Sequence, residues 1–355
     1  MSCSSILNVH DRLSVALCSA DEAKTLHRSR LRGMHFFTLD TASRDQGCFF
    51  SPLPLTDIHR FVKKMHTTLR QHEKDLVACA SKYNGKVITN TALLIGAFLI
   101  LGKGLEYDDV IAAFRPLSRL FVPYSDPSIS EHDGFMTVMD CWKALYHAKS
   151  LGWLDMSKDP DIHHAAHPDS FPVAGKPMDL DECIHYSDPV NGDLHSVIPG
   201  KLIFFANPTN LSDGLHWLDS EGERRFSPAF YADLFTDFDV VLVICLEECD
   251  YDRGPFAAAG VGVEELCLRP DTPNMLRAAD RFFCLLEAAP GAVALHGGRS
   301  GLSYAGTLVS AHMMSRLAFG AGDAAAWLRM ACPALLVPPE YLAALHDDAG
   351  VLQVL

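Results

Sequence analysis

A chain of 355 residues that is 48% hydrophobic and 21% charged has the composition of an ordinary globular protein and enough length for two domains. Its formal charge of −14 excludes a surface that wraps nucleic acid and leaves basic peptides or proteins as the favoured partners. Eleven cysteines scattered singly, with no CxxC pair, predict reduced thiols in an intracellular, cytoplasmic or nuclear protein and no zinc framework. The opening residues, MSCSSILNVHDRL, lack a charged-then-apolar leader pattern. The longest apolar stretch, Thr91 to Leu101, is shorter than the roughly 20 residues that span a bilayer, so a soluble protein with no membrane partner is expected. No motif asks for a cofactor.

Residues 1–155 are expected to form a first α/β domain. His35 to Asp40, HFFTLD, is strand-like, a loop ends in Pro52 and Pro54, and Thr56 to Leu69 keeps helical spacing. A second strand, Leu76 to Ala80, runs into the loop SKYNGKVIT and then into a helix from Asn90 that is apolar nearly all round and therefore buried. A further helix, DDVIAAFR, ends at Arg115. Residues 156–191, rich in Asp, His and Pro, form a linker. Within it His163, His164 and His167, with Asp161 and Asp169, have a spacing that invites a metal, but no HExxH or Cys/His framework surrounds them, and a solvated polar insert is the expected reading.

Residues 192–355 form a second domain. VIPGKLIFFANP opens it, the helix-like SPAFYADLFTD follows, and Asp239 to Leu246 is apolar enough for a central parallel strand. Amphipathic Met275 to Glu287 leads to a short buried strand, Ala292 to Leu295. A Gly/Ser-rich loop comes next, then a helix over Thr307 to Leu317 and DAAAWLR ending at Arg329. Strand, glycine-bearing loop, apolar helix and short second helix thus occur twice. The repeat predicts two tandem domains, each a mostly parallel central sheet with flanking helices, whose corresponding central strands are Leu76 to Ala80 and Ala292 to Leu295.

The loop of the second domain has the grammar of an anion site, because backbone N–H groups and the positive end of the following helix converge where glycine allows close approach. Its expected phosphate-binding residues are Gly298, Arg299, Ser300, Gly301, Leu302 and Ser303. The order of strand, His296, loop and helix resembles the signature loop of the cysteine-dependent phosphatases. HFFTLD, FFSPLPLTDIHRFV, TALLIGAFLIL, FVPYSD, TVMDCWKAL, HYSDPVNGD, VIPGKLIFFANP, Tyr251 to Phe256 and WLRMACP extend that likeness. Together they resemble the cell division cycle fourteen phosphatases, the tandem-domain dual-specificity phosphatases of mitotic exit. The resemblance implies a non-catalytic first domain, a linker helix, and a second domain that in active relatives prefers phosphoserine followed by proline and basic residues.

At the reacting positions the resemblance fails. Alignment on Gly306-Thr307 places Gly298 where the family has its nucleophilic cysteine and Tyr304 where it has its phosphate-binding arginine; alignment on His296 places Gly297 at the nucleophile. The general acid precedes a Ser-Thr-Pro in the family, and the match to Asp271-Thr272-Pro273 puts Arg269 in its place. Arginine does not donate a proton at neutral pH, and Asp271 has no thiolate mechanism to serve. The paired glutamines fall near Pro339 and Glu340, and Cys284 and Cys332 read as small packed hydrophobes. The expected protein has no catalytic residues. It is a pseudophosphatase that binds or scaffolds phosphoserine-proline proteins or peptides with basic residues, with the oligomeric state open. Two alternatives remain: an active dual-specificity phosphatase acting on phosphoserine-proline sites, and a serine hydrolase using Ser303 with Asp323 and His346 in a GxSxG-like context.

Overall fold

The computed structural model describes residues 6–19, 21–22, 24–25, 34–38, 50–71, 75–81, 84–125, 136–154, 177–267, 272–298 and 301–338. The chain divides into two compact units, Met1–Phe171 and Pro172–Leu355. The histidine-rich centre of the predicted linker, with Asp161, His163, His164, His167 and Asp169, lies outside the described residues.

In the first unit β1 (Ile6–His10) and β2 (Leu13–Cys18) form an antiparallel hairpin. Asp11 takes φ 40° at its turn, a conformation that Asp tolerates better than most residues. β3 (Met34–Thr38), α1 (Leu55–Gln71) and β4 (Asp75–Ser81) follow, and the sheet order is β1-β2-β4-β3, with β4 parallel to both neighbours. The chain then enters α2 (Gly85–Ala97), which continues as a π-helical turn over Phe98–Gly102.

The helix begins at Gly85, five residues before the apolar run that predicted it. Its first turn is held by a cap, the Asn84 side chain accepting from the Val87 N–H at 3.1 Å, and so needs no burial of its own. Gly85–Gly102 is long and apolar enough by count to cross a bilayer, yet 83% of it is buried inside the unit, as befits a core helix. α3 (Tyr107–Phe114) and α4 (Val138–Ser150) complete the unit. α4 starts with a capping box between Thr137 and Asp140, and its Trp142 lies so close to α2 that any side chain at Gly96 would strike the indole.

The second unit opens with α5 (Leu180–Tyr186), capped by Asp179, and the antiparallel pair β5 (Leu194–Ile198) and β6 (Leu202–Phe205). A small separate hairpin, β7 (Trp217–Ser220) and β8 (Glu223–Phe226), precedes α6 (Pro228–Asp237), which is capped by Ser227. β9 (Val240–Cys245), α7 (Gly254–Ala258), β10 (Gly262–Glu265), α8 (Thr272–Ala288) and β11 (Ala292–His296) follow, and then α9 (Gly301–Arg316) and α10 (Ala321–Ala331). The sheet order is β10-β9-β11-β6-β5, all parallel except β5.

Laid over the first sheet, β5, β6, β11 and β9 take the places of β1, β2, β4 and β3, and β10 is an added edge. The two central strands named from sequence, now β4 and β11, are therefore equivalent, each followed within a few residues by a buried helix. Aromatic side chains fill one side of the second sheet: Phe205, Tyr231, Phe235 and Phe256 are buried, and the Tyr231 hydroxyl donates to the Gly192 carbonyl at 2.8 Å.

His312 on α9 is edge-on to Phe282 and Phe283. Burial holds its pKa down at about 4; Glu287 pulls it upward, while Arg316 and Lys201 push it further down. An unfolded histidine titrates near 6.5, so between those values the unfolded chain binds the extra proton and stability is lost as pH falls from about 6.5 toward 4. The expected loss on going from pH 7 to pH 4 is about 3 kcal/mol from this group. Urea midpoints measured across that range fall less steeply in His312→Leu than in the unsubstituted protein; equal slopes would show that His312 does not contribute.

Candidate functional site

β11 is buried at all five positions because it lies mid-sheet with both faces covered, so it delivers a fixed point from which the loop departs. The turn after it is too tight for side chains. A Cβ on Gly297 would stand 3.2 Å from both the Leu246 Cβ and the Gly301 Cα, and the Gly301 N–H donates to the Gly298 carbonyl at 2.8 Å. α9 starts at Gly301, six residues ahead of the apolar run that predicted it. Gly301, Leu302, Ser303 and Tyr304 thus form its first turn rather than a loop, and the backbone N–H groups of the last three have no acceptor within the helix. The helix is seated by Gly306, where an added Cβ would collide with the Leu336 carbonyl oxygen, and by Thr307, whose Oγ1 donates to the Ser303 carbonyl at 2.8 Å.

Beneath the loop, three of the stretches that carry the family resemblance meet at one imidazole. His296 Nδ1 lies 2.7 Å from Asn207 Oδ1, and Nε2 lies 2.8 Å from the Tyr251 hydroxyl. Asn207 presents a carbonyl oxygen, so Nδ1 carries the proton and the Tyr251 hydroxyl donates to Nε2. Burial lowers the His296 pKa to about 3, which keeps the ring neutral, and burial likewise raises the Tyr251 phenol. The excursion between β9 and α7 is pinned by Asn210, which donates to the Asp250 carbonyl and accepts from the Asp252 N–H, and by the Arg253–Glu265 ion pair.

A carboxylate missed in the sequence reading faces the loop. A Cβ built on Gly298 would collide with Glu247 Oε2 and stand 3.1 Å from its Cδ and Oε1, and one on Gly301 would stand 3.6 Å from Oε1. Glu247 therefore covers the space into which a nucleophile at position 298 would project. The signal for it was faint: Glu247 and Glu248 follow an apolar strand, and only the strand order places Glu247 across from the loop.

Gly298 is half-buried, and so are Leu302, Ser303 and Tyr304 in the first turn of α9. Arg269, Asp271, Arg299, Ser300, Pro339, Glu340 and His346 lie outside the described residues. Asp323 is buried in α10, and Ser303 sits within a helical turn instead of on the sharp strand-to-helix tip that a hydrolase elbow needs. Cys332 packs as read: it is fully buried, and burial raises its thiol to about 12. Cys284 does not pack as read, since it falls on the solvent face of amphipathic α8 and is exposed.

A profile described as dual specificity protein phosphatase, N-terminal half, matches residues 8–148, within the first unit. Human dual specificity protein phosphatase CDC14C is 26% identical over 318 residues, 86% of this chain and 64% of the relative. The tyrosine-protein phosphatase cdc-14 of Caenorhabditis elegans is 27% identical over 303 residues, 82% of this chain and 39% of the relative. The chain thus spans less than two thirds of the length of these relatives. Among solved structures, PTPMT1 aligns with a TM-score of 0.34 at 16% identity, covering 45% of this chain and 96% of that one. The profile match and the similarity across both units make this chain a homologue of the CDC14 dual-specificity phosphatases.

Proposed function

We propose that the protein is a pseudophosphatase, a non-catalytic CDC14 relative that acts inside the cell as a phosphoprotein-binding or regulatory scaffold. The observation that carries this reading is the pairing of Gly298 with Glu247: the loop has no side chain at the nucleophile position, and a carboxylate stands over it. Without a thiolate there is no phospho-enzyme route. A negative oxygen close to the first turn of α9, whose leading N–H groups have no acceptor within the helix, also stands in for the phosphate oxygens that such a turn favours.

Phosphate binding therefore competes with Glu247. The affinity expected for a phosphoserine-proline-lysine peptide is weak, with a dissociation constant on the order of 0.1 to 1 mM. Glu248, Asp250 and Asp252 follow Glu247 along the same excursion, and their charge suits basic residues after the phosphoserine. Glu247→Gln keeps the shape and removes the competing charge, and is expected to tighten binding about tenfold, the equivalent of about 1.4 kcal/mol.

Titration by NMR reads both effects. The amides of Gly298 and Gly301 to Ser303 are expected to shift with the phosphorylated peptide and more strongly in Glu247→Gln. Equal shifts with the unphosphorylated peptide, or none, would overturn the binding role. Robust phosphopeptide hydrolysis abolished by substitution in the loop would overturn the non-catalytic one.

A further inference from the structure

Cysteines that are single in the sequence come together at the C-terminal edge of the second sheet. Cys245 ends β9 and is the register partner of His296 at the end of the parallel strand β11, so a thiol and an imidazole leave adjacent strands at the same level. Cys249 returns three intervening residues later, its N–H held by Glu265 Oε1 at 2.9 Å. One ligand atom from each of Cys245, Cys249 and His296 lies within 4.8 Å of the other two. His296 is also oriented as a ligating histidine is, with Nδ1–H donating to Asn207 and the Nε2 lone pair, which now accepts from the Tyr251 hydroxyl, on the side of the cluster.

We propose that Cys245, Cys249 and His296 form a zinc-binding site at this sheet edge, with the Tyr251 hydroxyl at the fourth corner. Two sulfurs and an imidazole are soft and borderline donors that suit zinc and do not suit calcium or magnesium. Tyr251 Oη is 2.8 Å from His296 Nε2 and 3.6 Å from Cys249 Sγ, already on the rim of the cluster. Tetrahedral zinc, with bonds of about 2.0 to 2.3 Å, sets its ligand atoms about 3.3 to 3.8 Å apart, so the site closes by a movement of about 1 Å. Cys249 is the partly buried member of the pair and is the side chain that would turn.

The Cys245 thiol now donates to the Glu247 carbonyl at 2.9 Å. On binding, the hydrated ion sheds water, each thiol gives its proton to solvent, and the Tyr251 O–H turns away from His296 Nε2; two sulfur–zinc bonds and one nitrogen–zinc bond form, the neutral phenol oxygen completes the four, and the two thiolates cancel the charge of the dication. The Cys245 sulfur then has no proton to share with the Glu247 carbonyl and is free to turn toward the metal. The bound ion ties β9, β11 and the segment that carries Glu247 into one unit.

The test uses the full chain, reduced and freed of metal with a chelator. Titration with zinc against a chromophoric competitor is expected to show one equivalent bound. Cobalt(II) is expected to give the thiolate-to-metal charge-transfer band and strong visible bands of a tetrahedral sulfur site. Cys249→Ser, at the partly exposed position, is expected to weaken zinc binding about a hundredfold or more and to remove the charge-transfer intensity of one thiolate. Cys284→Ser, at an exposed cysteine on α8, leaves both readouts unchanged. The proposal is overturned if the reduced chain takes up no stoichiometric zinc, if Cys249→Ser binds as the unsubstituted chain does, or if Cys284→Ser loses binding equally. The cobalt spectrum of the unsubstituted chain decides by itself should Cys249→Ser fail to fold, since a spectrum without thiolate charge transfer also overturns it.

Discussion

Gly298→Cys, made alone, is expected to give a folded protein without useful phosphatase turnover. Folding is expected to survive because position 298 has no left-handed backbone requirement and the atoms an added Cβ would strike are the mobile end of Glu247. Catalysis is not expected to return, for three reasons. The new sulfur would sit against the Glu247 carboxylate, and a neighbouring negative charge raises a thiol pKa and repels a phosphate dianion.

Tyr304 supplies no guanidinium, so the transferring oxygens lack charge-assisted bonds worth about 1.5 to 3 kcal/mol each. Arg269 is the residue that the sequence alignment sets at the acid's position, and on that reading the leaving group is expected to receive no proton, a loss of about 10²- to 10⁴-fold. Together these place the variant roughly 10³- to 10⁶-fold below an intact cysteine, arginine and aspartate set, and such groups act as a unit instead of additively. Steady-state hydrolysis of an aryl phosphate, with acid-quench trapping of a phosphocysteine, checks it. A single variant within about tenfold of an active phosphatase would mean that the groups read as lost are supplied from elsewhere in the chain.

Trp327→Ala is expected to be the most destabilising single substitution in the second unit. The indole is fully buried in α10, and its Nε1–H donates to the Val197 carbonyl at 2.8 Å, tying the last described helix to the end of β5. Truncating a buried tryptophan costs about 3 to 5 kcal/mol, and leaving the Val197 carbonyl without its donor adds about 1 to 3 kcal/mol. That sum is comparable to the whole stability of a typical domain, so the unit is expected to be largely unfolded at 37 °C. Trp327→Phe separates the two contributions, since it keeps most of the apolar volume and loses only the donor; a cost of about 1 to 2 kcal/mol is expected. Urea unfolding followed by circular dichroism measures both, and equal costs for Ala and Phe would show that the hydrogen bond, and not burial, carries the effect.

Much of the architecture was legible in the residues because it rests on short-range patterns. The apolar runs of β9 and β11, the helical spacing in α1 and α8, and the recurrence of DDVIAAFR and DAAAWLR each specify local structure, and their order specifies two similar sheets. Helix starts were legible only in part. Burial marks the apolar middle of a helix, whereas the first turns of α2 and α9 depend on a cap or a glycine and carry no apolar signal. The edge hairpin of β1 and β2 needed its turn at Asp11 to be recognised, although the alternation-free run LSVALC was a signal for a buried strand.

By itself, then, the sequence determined the tandem α/β plan, the place of the glycine-rich loop after β11 and the absence of a thiol at Gly298. It did so because all three are properties of residues in line or of one repeated pattern. Only the tertiary structure decided what faces that loop. Glu247 is 51 positions from Gly298, and Cys245 is as far from His296 as one crossover through α7, β10 and α8 requires. The parallel pairing of β9 with β11 brings both pairs together, since strands adjacent in a parallel sheet end side by side however long the connection between them.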